Sequence, residues 1–118
     1  MEVKNTNEIV INKSRFIAYL FDLNSLDDVE NNIKELRREH KKANHFCYAY
    51  VYKREVNSER CGDDGEPGGT AGYPILNVIK KKNLTNTMIV VVRYFGGIKL
   101  GAGGLTRAYT KASASVVS

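Results

Sequence analysis

The sequence predicts an α+β domain, a two-layer β-β-α-β-α-β-α sandwich filling residues 1–118. Four short segments rich in β-branched and aromatic residues read as strands, and three others repeat apolar residues at helical spacing. With 118 residues, 42% hydrophobic and 26% charged, the chain suits one core rather than two, and order rather than disorder.

Each element has its own signal. Glu8-Ile-Val-Ile11 and Ser14-Arg-Phe-Ile-Ala-Tyr-Leu-Phe21 are extended segments, and Asn12-Lys13 between them permits a tight hairpin or a bulge. From Ser25 to His40, Leu26, Val29, Ile33 and Leu36 form one apolar helical stripe. Ser25 is placed to cap this helix, with Asp27, Asp28 and Glu30 at its positive end and Arg37, Arg38, Lys41 and Lys42 at the other. His45 to Lys53 alternates as a strand. Phe46, Tyr48, Tyr50 and Tyr52 take one face, and His45, Cys47, Ala49 and Val51 the other. A polar loop is expected over Arg54–Gly69, then a helix with Pro74 in its first turn running to Lys82. Thr87 to Tyr94 is a buried-strand run that feeds a glycine-rich turn. A last helix follows with Leu105, Ala108, Tyr109, Ala112 and Val116 inside.

Several classes are disfavoured at once. The longest apolar run, Met88 to Val92, is far too short to cross a bilayer. The first residues carry no apolar signal segment, and Cys47 and Cys61 lack CxxC spacing, so a cytoplasmic protein without membrane contact is expected. The formal net charge of +5 is unevenly spread. Residues 67–118 hold Lys80, Lys81, Lys82, Arg93, Lys99, Arg107 and Lys111 and not one carboxylate. Such a half attracts polyanions, although a solubility bias would read the same way.

Four constellations could carry chemistry. In Phe95-Gly-Gly-Ile-Lys-Leu-Gly-Ala-Gly-Gly-Leu-Thr-Arg-Ala-Tyr109 a glycine loop joins a strand to a helix start, where free backbone N–H groups can hold an anion. It is neither a Walker A loop, since Ala102-Gly103 stands where Lys-Ser/Thr is needed, nor a GxGxxG, since Thr106 ends it. Arg93, Lys99, Arg107 and Lys111, with Gly101, Gly103 and Gly104, are therefore the candidate anion-binding set; the alternative is a turn packed tightly on the sheet. In Asp63-Asp-Gly-Glu66 three carboxylates could serve a metal or acid–base chemistry, but a structural or gating loop is the simpler reading of Asp63, Asp64 and Glu66. His40, His45, Cys47 and Cys61 match no zinc spacing, and a Cys47–His45 nucleophile lacks a third orienting group. The aromatic face of Phe46, Tyr48, Tyr50 and Tyr52 is either a stacking platform for bases or core, with core favoured by burial preference.

Four strings together resemble the N-terminal domain of the IMPACT/YigZ family. They are Lys13-Ser-Arg-Phe-Ile-Ala18, Ala43-Asn-His-Phe-Cys-Tyr-Ala-Tyr50, Asp63 to Gly72 with Pro74-Ile-Leu76, and Arg93 to Tyr109. The resemblance implies a fold similar to domain IV of elongation factor G, and an association with translation regulation. Eukaryotic relatives act by binding proteins of the amino-acid starvation response. The resemblance brings no catalytic residues, and an older peptidase label on some bacterial members finds no metal-ligand set or nucleophile triad here. Bacterial members usually carry a second, smaller ferredoxin-like domain. This chain stops at Val116-Val-Ser118 in a helical pattern, so a single N-terminal domain is expected.

The expectation is thus a non-enzymatic module, without cofactor or metal, that binds RNA or the ribosome. A protein-interaction module in the same pathway, docking through the tyrosine face, is the alternative. A metal-dependent hydrolase using Asp63, Asp64 and Glu66 comes third.

Overall fold

The computed structural model describes residues 1–117. It contains β1 (Asn5–Ile11), β2 (Ser14–Asp22), α1 (Asp27–Glu39), β3 (His45–Lys53), β4 (Asn57–Gly62), α2 (Gly72–Lys81), β5 (Thr87–Tyr94) and α3 (Gly101–Ala114). The strands form one five-stranded sheet of order β1-β2-β5-β3-β4, with every neighbouring pair antiparallel. No helix among the described residues is long and apolar enough to cross a membrane.

The α+β class is as expected, with two differences in detail. Residues 57–62 form a strand inside the predicted polar loop. β4 pairs only with β3, and its sequence, Asn-Ser-Glu-Arg-Cys-Gly, is almost wholly solvent-facing, as suits an edge strand that need not be apolar to hold its ladder. The sheet is also covered on both faces, giving three layers instead of two. Cys47, Ala49 and Val51 pack with Ile75, Ile79, Leu105 and Tyr109 of α2 and α3. Phe46, Tyr50 and Tyr52 pack on the opposite face, with Leu36, Val29 and Ile33 of α1. The period-two alternation of β3 is what splits the core this way. Central β5 serves both faces, Met88, Val90 and Val92 on one and Ile89 and Val91 on the other, so its sequence has no polar alternation.

The tyrosine face is therefore core. Tyr50 and Tyr52 are 6% and 1% exposed, so these two rings are closed to bases and to a docking partner, while Tyr48 is half-buried. At the head of α1 the capping differs from expectation. Leu26 occupies the N-cap position without a side-chain bond, and Asp28 Oδ2 instead accepts the N–H groups of Asn24 and Ser25.

The antiparallel register gathers the chemistry at one pole. Arg15 lies opposite Tyr94, His45 opposite Arg93, and Tyr48 opposite Gly62. The starts of β2, β3, α2 and α3 therefore share an end of the sheet with the exits of β4 and β5. The β1–β2 turn is the tight hairpin, with Asn12 and Lys13 both at positive φ as a two-residue primed turn requires. The glycine loop crosses directly over it: a Cβ on Gly96 would lie 2.0 Å from the Lys13 carbonyl oxygen. Only glycine permits that approach.

Candidate nucleic-acid interface

The structure divides the predicted anion-binding set. Arg93 ends an otherwise apolar strand and is 4% exposed. Its Nη1 donates to both oxygens of Glu66 at 3.0 and 2.8 Å, and its Nη2 donates to Ser14 Oγ at 3.2 Å. The guanidinium also lies over the rings of Phe16 and Phe95. Arg93 is thus committed to a buried ion pair and is closed to phosphate, contrary to expectation. One isolated cation in a core must find a carboxylate, because its desolvation is otherwise uncompensated. The acidic loop supplies it.

Lys99, Arg107 and Lys111 are exposed, and none of them forms an ion pair among the described residues. They do not all gather at the start of α3. Lys99 immediately precedes it. Arg107 reaches back over the first turn, since a Cβ on Gly103 would sit 3.3 Å from Arg107 Nη1. Lys111 is in the last turn, about 15 Å along the axis from Gly101 at the helical rise. Gly101 begins the helix at φ +71°, and Gly104 packs on Leu100. The head of α3 has no side-chain cap and no acidic residue in its first turn, which leaves its first N–H groups without side-chain acceptors.

The acidic loop behaves otherwise. Asp63 Oδ1 accepts the N–H groups of Ala71 and Gly72, and Oδ2 that of Gly69, so it caps α2 from outside the helix. Burial raises the Asp63 carboxyl, but these three donors outweigh it and hold the group below its ordinary range. Asp64 Oδ2 accepts from Phe46 N at 2.7 Å, and Oδ1 from Arg37 at 3.0 Å. Both aspartates are fastening groups. Glu66 is 8% exposed and also accepts the Tyr109 hydroxyl. No group of three His, Cys, Asp or Glu among the described residues is placed to hold a metal ion.

Around Glu66 lies a set that sequence reasoning did not join. His45 Nδ1 lies 2.9 Å from the Asp64 carbonyl oxygen, and its Nε2 is 3.5 Å from Glu66 Oε1. Cys47 Sγ donates to the Asp63 carbonyl oxygen at 3.1 Å and lies 3.4 Å from Tyr109 Oη. Burial pushes the Cys47 thiol far above its ordinary range, which makes it inert as a nucleophile. Beside this cluster opens a pocket of about 350 Å³. Pro67, Phe95, Leu100 and Leu105 give it apolar walls, while His45 and Lys99 supply polar ones. Two signals for it were present in the sequence: a lone arginine in an apolar strand, and Phe95 placed where the strand leaves the core.

A sequence model of the Impact N-terminal domain matches residues 12–117. The IMPACT family member YvyE of Bacillus subtilis is 50% identical over 105 residues, which make up 89% of this chain and 48% of that protein. A crystal structure described only as that of a hypothetical protein superposes with TM-score 0.89 at 36% identity, covering 96% of this chain and 56% of that one. The two-domain translational regulator Yih1 shares the fold, with TM-score 0.61 at 22% identity over 95% of this chain and 47% of its own. The chain spans about half the length of the curated relative it matches. With the family's domain matching residues 12–117, and half of the 105 aligned residues identical to an established member, this chain belongs to the IMPACT family.

Proposed function

We propose that this domain is a non-enzymatic module of translation control that binds RNA, free or on the ribosome, through the glycine-rich pole. One observation carries the reading. Lys99 and Arg107 stand exposed beside the uncapped head of α3, whereas Lys80 and Arg93 from the same acid-free half are paired with Glu59 and Glu66. Unneutralised cations over free amides are a phosphate site. Lys111 extends the basic strip along the helix. The link to translation comes from kinship, since Yih1 is described as a translational regulator, and the cytoplasm is where such a partner would be met. That no enzyme is involved is supported by the use made of the acids: Asp63, Asp64 and Glu66 are spent on backbone and arginine donors.

Co-sedimentation with ribosomal subunits, and titration with a structured RNA, test the proposal. Association at low salt that weakens steeply as salt rises, and that nuclease abolishes, is expected. Association that survives nuclease and ignores salt would instead assign the domain to a protein partner.

A further inference from the structure

The pocket beside Phe95 is not explained by contacts to phosphate alone. Phe95 is 46% exposed, although it is a large aromatic at the lip of an apolar cavity. Arg93 stacks over its ring, which fixes the ring without hiding it. The volume, about 350 Å³, is at the small end of ligand sites. Glu66 is neutralised by Arg93 and accepts the Tyr109 hydroxyl. His45 Nδ1–H is donated to the Asp64 carbonyl oxygen, and its Nε2 lies 3.5 Å from Glu66 Oε1. Arg93 Nε, in a residue only 4% exposed, has no hydrogen-bond partner among the described residues, and Arg93 lines this cavity. Lys99, Gly101 and Ala102 line it as well, which brings a cation and the uncapped amides of α3 to its border.

A planar aromatic ring with an anionic group attached fits this distribution. We infer that the pocket receives one unstacked nucleotide, its base against Phe95 and its phosphate at Lys99 and the head of α3. Duplex cannot supply such a base without opening, so the site selects unpaired strands. This inference rests on the RNA-binding reading above and names the part of the RNA that is bound.

The test compares a single-stranded hexamer carrying 2-aminopurine, a blunt duplex, and free adenosine 5′-monophosphate against wild type and Phe95→Leu. The leucine keeps the site apolar but removes the ring, and a thermal melt checks that the exposed position leaves folding intact. Wild type is expected to bind the single strand about 10-fold more tightly than the duplex, and to quench the 2-aminopurine. Phe95→Leu should lose at least about 5-fold on the single strand, the lower bound for one stacked base, and nothing on the duplex. Saturable binding of the free nucleotide, lost in Phe95→Leu, supports the pocket with a mobile ligand as its source; its absence beside strong hexamer binding supports the pocket with a strand as source. Equal binding of hexamer and duplex, unchanged by Phe95→Leu, overturns the nucleotide pocket and leaves the phosphate reading standing. Failure of wild type to bind any of the three at low salt overturns both.

Discussion

Glu66 and Arg93 depend on each other more than any other side chains at this pole. Both are buried, and the carboxylate also serves Tyr109. Glu66→Ala leaves a buried guanidinium unpaired and is expected to cost about 3–5 kcal/mol in urea unfolding. Arg93→Met should cost a similar amount, because it orphans the carboxylate instead. Glu66→Leu combined with Arg93→Met should come closer to wild type than either single variant, since an apolar pair of similar volume often replaces a buried ion pair without loss. Two other residues contribute to the pH response. His40 accepts or donates between the Tyr19 and Tyr94 hydroxyls, and burial holds its pKa below the ordinary histidine value. The unfolded chain then takes up the proton first, so this contribution is complete above about pH 6.5 and is lost as pH falls through the lower folded value. Asp63 is depressed too, and its contribution is complete above about pH 3.9 and lost below, toward its folded value. Urea midpoints should hold from pH 8 to 7, decline as His40 protonates, and drop again under pH 4. His40→Gln should flatten the first decline and keep the second.

At the scale of elements, glycines that look alike in the sequence have opposite tolerances. A Cβ on Gly72 would sit 2.7–2.9 Å from the backbone of Gly62, because the capped head of α2 lies against the end of β4. Gly72→Ala must move main chain, and should cost about 1–3 kcal/mol. Gly103 faces only the flexible tip of Arg107 inside a regular helix, so Gly103→Ala should stabilise by up to about 1 kcal/mol. Thermal melts of the two variants should shift in opposite directions. The stripe of α1, the alternation of β3 and the unbroken run of β5 were legible because each buries a periodic apolar set. β4 was not legible, since an edge strand held by β3 through backbone bonds leaves no hydrophobic pattern in Asn-Ser-Glu-Arg-Cys-Gly. Nor was the second covered face, as the α1 stripe does not state which side of the sheet it meets. The cap on α2 was hidden for another reason: Asp63 acts from eight or nine residues away, outside any local capping pattern.

For the whole molecule, charge asymmetry was the feature that sequence displayed most plainly and located least well. Seven cations without an acid fill residues 67–118, but folding brings the acidic half back across them. Glu66 takes Arg93, Glu59 takes Lys80, and Asp63 takes the head of α2. Unpaired in this half, among the described residues, are Lys81 and Lys82 at the C-terminal end of α2 and a strip from Lys99 through Arg107 toward Lys111, the latter next to a pocket whose walls come from three separated stretches of chain. Pairing across the fold is decided by topology, which is why residue counts could name the strip's members and also one residue that does not belong to it. The salt dependence of RNA binding tests this distribution directly. Each phosphate contact contributes a slope of about −0.7 to −0.9 in log K against log salt. Lys99→Gln and Arg107→Gln should each make the slope shallower by about that amount, whereas Arg93, though only three residues before Gly96, contributes none. A slope near zero in wild type, or one that both substitutions leave unchanged, would contradict the account.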